Sequence, residues 1–105
     1  GHGSRQFDSS PIPIHQISRI RKSINKSTVL IYDTGIRNGE DILKALCLGA
    51  DFVMIGKHAL FSIAAEGFDG LVQMTNNLKK EIEIAMAQMG NFDINKLNSK
   101  YLNDF

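Results

Sequence analysis

Two short apolar runs, each closed by a glycine and a cation, constrain this chain more than anything else in it. Residues 29–41 read Val-Leu-Ile-Tyr-Asp-Thr-Gly-Ile-Arg-Asn-Gly-Glu-Asp, and residues 52–57 answer with Phe-Val-Met-Ile-Gly-Lys. A segment with helical spacing separates them. That is the pattern of a βαβ unit, and such a unit can hold a phosphate where its strands end and its helices begin.

Within the unit, residues 28–32 form an unbroken β-prone run, as expected for a strand buried on both faces of a parallel sheet. Side chains alternate along a strand. With Asp33 facing a ligand, Val29 and Ile31 share its side while Leu30 and Tyr32 pack against helices. Thr34-Gly35 makes the turn. A helix starts at Asn38 or Gly39, with Glu40 and Asp41 in its first turn where acids are favourable. Its apolar face is Ile42, Leu43, Ala45 and Leu46, and Gly49 suits its end. Residues 52–55 give the second strand, and short connections predict a right-handed crossover between parallel strands.

The flanks add helices. Residues 1–13 carry glycine, serine, Pro11 and Pro13 and read as a loop. Its opening Gly-His-Gly-Ser also has the look of residue left by a cleaved tag. Residues 14–23 predict a short amphipathic helix with Ile14, Ile17 and Ile20 or Ile24 on one face, and His15 as a solvated residue. After Lys57, residues 58–65 suit a short helix and 68–89 a longer one. The longer helix has a stripe of Leu71, Val72, Thr75, Leu78, Ile82, Ala85, Met86 and Met89, so its methionines belong to a core. The tail from 91 to 105 has one weak helical turn at 94–97.

Composition narrows the function classes. The chain has 105 residues, room for one domain, and a formal net charge of +1, which gives no electrostatic case for nucleic acid. No apolar run approaches the ~20 residues of a membrane-spanning helix. Cys47 is the only cysteine. It excludes an internal disulfide, fits a reducing, cytoplasmic setting, and sits among Ala45, Leu46 and Leu48 as a buried structural thiol. Two parallel strands with three or four helices cannot cover both faces of a sheet. The expectation is therefore a piece of a larger α/β domain.

Taken together, these segments resemble the carboxyl-terminal part of the FMN-dependent α-hydroxy acid oxidising enzymes, which include lactate and mandelate dehydrogenases and glycolate and lactate oxidases. The likeness runs from His2 to about Leu97. A family loop His-Gly-Gly-Arg-Gln-Leu-Asp is matched by His2-Gly3-Ser4-Arg5-Gln6-Phe7-Asp8. Asp-Gly/Ser-Gly-Ile/Val-Arg-x-Gly-x-Asp is matched by residues 33–41, Lys-Ala-Leu-x-Leu-Gly-Ala by 44–50, and Gly-Arg by Gly56-Lys57. Because Arg5, Gln6 and Asp8 continue the pattern past any tag, His2 is read as native.

The resemblance implies a (β/α)8 TIM barrel, of which residues 1–105 would be strands seven and eight with flanking helices, incomplete as a domain. It implies FMN, a small L-2-hydroxy acid substrate, the remainder of the barrel or another copy as partner, and a parent homo-oligomer, a tetramer. His2 would be the active-site base, since imidazole titrates near neutrality, and Arg5 would grip the substrate carboxylate with its planar fork. Gly35 and Gly56 would let backbone N–H groups approach the FMN phosphate, Arg37 and Lys57 would supply charge, and Asp33 would reach the ribityl chain. Lys57 for arginine keeps the charge and loses bidentate geometry. The family's other substrate-facing and flavin-facing residues would precede residue 1, so this chain alone is expected to be inactive. Two alternatives stand beside this reading. One is a non-catalytic barrel fragment or assembly unit. The other is a different flavin barrel such as type 2 isopentenyl diphosphate isomerase, against which the His2 and Arg5 loop argues.

Overall fold

A computed structural model describes residues 6–102. After a 3-10 turn at Pro13–Gln16 come α1 (Ile17–Ser23), β1 (Ile31–Asp33), α2 (Gly39–Cys47), β2 (Phe52–Met54) and α3 (Lys57–Met89). Two further 3-10 turns follow at Ile94–Lys96 and Ser99–Tyr101. The strands pair in parallel, Ile31 with Phe52, Tyr32 with Val53 and Asp33 with Met54, so the expected βαβ unit is present.

The first strand is shorter than residues 28–32. The Thr28 carbonyl accepts from Arg21 and the Leu30 N–H donates to the Asp51 carboxylate, so side chains occupy backbone groups ahead of the ladder. The Leu30 carbonyl then accepts from the Asp51 and Phe52 N–H groups, and pairing begins there. The alternation is as expected: Leu30, Tyr32, Val53 and Ile55 pack against the core. Burial on both faces is not found. Ile31, Phe52 and Met54 are 54%, 61% and 55% exposed, because the helices of this chain cover one face of its sheet.

The core lies between that covered face and the helices. Ile17 from α1, Ile42, Ala45 and Leu48 from α2 and its end, and Met74 and Leu78 from α3 form it with Ile36 and Ala50. Burying an aliphatic side chain of this size contributes ~1.5–3 kcal/mol. The first turn of the expected 14–23 helix is 3-10, entered through Pro13 at its first position. Ile17 of α1 is buried and Ile20 exposed, while Ile14 in the preceding turn and Ile24 just after the helix are half-buried.

The two helices expected at 58–65 and 68–89 are both present within α3, separated by a break at Glu66 and Gly67. Gly67 has φ 61°, a left-handed conformation that suits glycine. The two segments then approach so closely that a methyl group at Gly70 would collide with the Ser62 carbonyl. The buried stripe differs from expectation at three positions. Met74 is buried, whereas Val72 and Thr75 are exposed, and the Thr75 hydroxyl donates back to the Leu71 carbonyl at 2.9 Å. α3 ends with Gly90 at φ 71°; Gly90 N–H bonds Ala87 and Asn91 N–H bonds Met86, the Schellman arrangement. Among the described residues no helix is long and apolar enough to cross a membrane.

Candidate functional site at the carboxyl edge of the sheet

Parallel register places the carboxyl ends of both strands side by side. Asp33 ends β1 and pairs with Met54, which ends β2, so Gly35 and Gly56 each lie two residues beyond the last pair. Backbone dihedrals leave their ordinary ranges here. Thr34 has φ 141° and Gly35 φ 67°. A β-branched residue at positive φ is strained, and such strain collects where a turn is held for a purpose. A Cβ built on Gly35 or Gly56 meets nothing within 4 Å, so both turns present open backbone.

Gly56 also caps α3, and it offers no side chain to the helix's first N–H groups. Those donors and the positive end of the helix dipole are available to an anion. Lys57 is the first residue of α3 and Arg37 lies in the loop between β1 and α2; both are exposed. Asp33, Gly35, Arg37, Gly56 and Lys57 are thus gathered at one edge. His2 and Arg5 lie outside the described residues.

The loop that carries Arg37 is held by bonds to its backbone. The Asn38 side chain caps α2 by accepting the Asp41 N–H at 2.9 Å, while the Asp41 carboxylate accepts the Arg37 N–H at 3.0 Å. From α3, the Glu81 carboxylate accepts the Gly39 N–H. A Cβ on Gly39 would lie 2.6 Å from the Glu81 Cβ and 2.9 Å from the Ile82 nitrogen, so only glycine permits this approach. The Asn38 and Asp41 pair is a capping pattern that spacing could reveal. Glu81 is 42 positions from Gly39 and left no local signal.

Two other ionisable groups are explained without chemistry. Burial pushes the Tyr32 phenol above its ordinary value, and the Asp41 and Asp33 carboxylates push it further, so it stays neutral. Burial likewise raises the Cys47 thiol, opposed in part by a backbone hydrogen bond from Asn98. It is a buried thiol rather than a nucleophile, as expected. No group of metal-ligating side chains occurs among the described residues.

Comparison with known proteins places the chain as a whole. The model of the FMN-dependent dehydrogenase family matches residues 1–104. A 2-hydroxyacid oxidase of Dictyostelium discoideum is 38% identical over 103 residues, 98% of this chain and 26% of that protein. An L-lactate oxidase of Lacticaseibacillus rhamnosus is 39% identical over 89 residues, 85% of this chain and 24% of that protein. A soluble mutant of the membrane-associated (S)-mandelate dehydrogenase from Pseudomonas putida superposes with a TM-score of 0.88 at 35% identity. That likeness covers 99% of this chain and 29% of the solved one, and these structural neighbours are TIM-barrel enzymes. The chain therefore spans about a quarter of the length of the relatives it matches. By the extent of the match, this chain belongs to the FMN-dependent dehydrogenase family.

Proposed function

We propose that residues 1–105 are the carboxyl-terminal portion, strands seven and eight with their helices, of a cytoplasmic barrel that oxidises a small, lactate-like L-2-hydroxy acid to the 2-oxo acid with FMN. The observation that carries this reading is the pair of open glycines, Gly35 and Gly56, at one edge of a parallel sheet. Arg37, Lys57 and the uncapped start of α3 accompany them. A phosphate monoester fits this set: glycine lets backbone donors approach, two cations balance its charge, and the helix end adds a favourable dipole. Lys57 acts there as a point charge, Arg37 as a fork. Asp33 would accept from hydroxyl groups of the ribityl chain.

Arg5 would bind the substrate carboxylate, where its planar fork can make two parallel hydrogen bonds and fix the substrate's pose. His2 takes a proton from the substrate, and a neutral imidazole at working pH suits that task. Bound FMN supplies the two-electron acceptor.

The test is made on the complete barrel containing this chain. It is expected to be yellow and to bleach anaerobically with L-lactate, (S)-mandelate or glycolate. Arg37→Ala is expected to weaken FMN binding by ~10-fold or more, the scale of one charge-assisted hydrogen bond. His2→Gln is expected to keep FMN and slow bleaching by ~10²–10⁴, the usual contribution of a positioned base. A colourless protein, or flavin left oxidised by every 2-hydroxy acid, sinks the proposal. The exposed sheet face supports a second reading, in which the chain is an assembly unit without catalysis of its own. Intact mass of the purified assembly separates the two: a single 11.7 kDa species favours the assembly unit.

A further inference from the structure

We infer that Glu81, on the far part of α3, is a positioning residue for the phosphate site: through the Gly39 N–H it fixes the loop that carries Arg37 relative to Lys57. The inference rests on the phosphate reading above and adds to it a residue that touches neither cofactor nor substrate.

Of the bonds that hold the Arg37 loop, those from Asn38 and Asp41 are internal to the start of α2 and would move with it. Glu81 is different, because it lies in the second segment of α3, which packs at Gly70 against the Ser62 carbonyl of the segment that begins with Lys57. α3 leaves the carboxyl edge at Lys57, breaks at Glu66 and Gly67, and returns along α2 to present Glu81 to Gly39. The two closely packed segments of α3 thus contribute to both sides of the cradle, the first a cation at its start and the second an anchor for the opposite loop twenty-four positions later. The contact is close-fitted. Gly39 is buried, and its missing Cβ is the space that the Glu81 Cβ and the Ile82 backbone occupy. The chemistry also matches, since Gly39 provides one of the first N–H groups of α2, which have no partner within the helix. A carboxylate satisfies such a donor and favours the positive end of the helix dipole. Arg37 stands two residues before that bond, close enough for a slip of the loop to move its guanidinium off a bound phosphate.

Comparing FMN with riboflavin separates this role from general stability, because riboflavin has the same ring and ribityl chain without the phosphate. In the complete barrel, Glu81→Ala is expected to raise the FMN dissociation constant by ~10-fold, the scale of one lost charged hydrogen bond, and the riboflavin constant by less than about twofold. Glu81→Gln keeps an acceptor for the Gly39 N–H and is expected to hold the wild-type ratio. In an Arg37→Ala background Glu81→Ala is expected to change FMN binding little, since its effect runs through Arg37. Should Glu81→Ala not fold, Glu81→Asp withdraws the acceptor by one methylene and is read in the same way. Equal loss of FMN and riboflavin, failure of Glu81→Gln to rescue, or an undiminished effect without Arg37 overturns the inference. A wild-type protein that binds FMN no better than riboflavin overturns the phosphate reading itself, and this inference with it.

Discussion

The Arg21 guanidinium reaches three acceptors at once: the Gly49 carbonyl at 2.9 Å, the Thr28 carbonyl at 3.0 Å and the Asp51 carboxylate at 2.6 Å. Asp51 in turn accepts the Leu30 N–H at 2.8 Å. The end of α1, the approach to β1 and the turn into β2 are thereby joined at the amino edge of the sheet, opposite the proposed phosphate site. Gly49 makes room, since a Cβ there would sit 2.8 Å from the Arg21 Cγ. The Leu30 N–H bond holds the Asp51 carboxyl below its ordinary value, with Arg21 adding to the effect and partial desolvation opposing it. A carboxylate depressed in the folded state stabilises the fold above its unfolded pKa. That stability is lost as pH falls through the folded value. Asp51→Asn is therefore expected to be less stable at neutral pH and to lose less further stability than wild type between about pH 5 and pH 2. Urea unfolding at stepped pH checks this, and parallel pH profiles for the two proteins would remove Asp51 from the acid response.

At the scale of elements, the decisive contact is the one between the two parts of α3. Gly70 lies against the Ser62 carbonyl, and the Ser62 hydroxyl donates to the His58 carbonyl at 2.8 Å, so the crossing is backbone against side-chain-free backbone. Gly70→Ala has a better helix former and should still destabilise. Its methyl group meets an atom that cannot rotate away, and overpacking of this kind costs ~1–3 kcal/mol against a propensity gain of about 1 kcal/mol. Chemical unfolding is expected to show a net loss, while Gly90→Ala, strained by its φ of 71° but with open space around it, serves as the comparison. The break itself was legible, because Gly67 interrupts two periodic segments. The inward position of Met74 was not. Leu71, Leu78, Ile82 and Met86 share one face with either neighbour, and packing against α2 selects Met74 over Thr75. Legibility of the site follows the same rule. Asp33, Gly35, Arg37, Gly56 and Lys57 are marked by local spacing around strand ends. Glu81 acts on Gly39 across 42 positions and has no local mark. The roles proposed for His2 and Arg5 rest on resemblance alone, and both residues lie outside the described ones.

At the scale of the whole molecule, the sheet explains why a short α/β chain can carry so much exposed apolar surface. Its covered face is built by its own helices, while Ile31, Phe52 and Met54 line up on the other. Next to β1, whose only partner strand among the described residues is β2, lies a groove lined by Pro11, Pro13, Ile17, Ile20 and Ile31. In a closed barrel the same three side chains would point into a packed interior. One substitution is then expected to have opposite signs in two settings. In the 105-residue chain alone, Phe52→Ser removes exposed apolar area, so solubility should rise and binding of a hydrophobic dye should fall. In the complete barrel, the same change removes a buried aromatic ring, which costs ~3–5 kcal/mol. Dye fluorescence of the short chain and chemical unfolding of the complete barrel measure the two effects. A change that leaves the barrel's stability within about 0.5 kcal/mol, the range of an ordinary surface substitution, would mean that this face is not interior. The open face would then have to be covered in some other way.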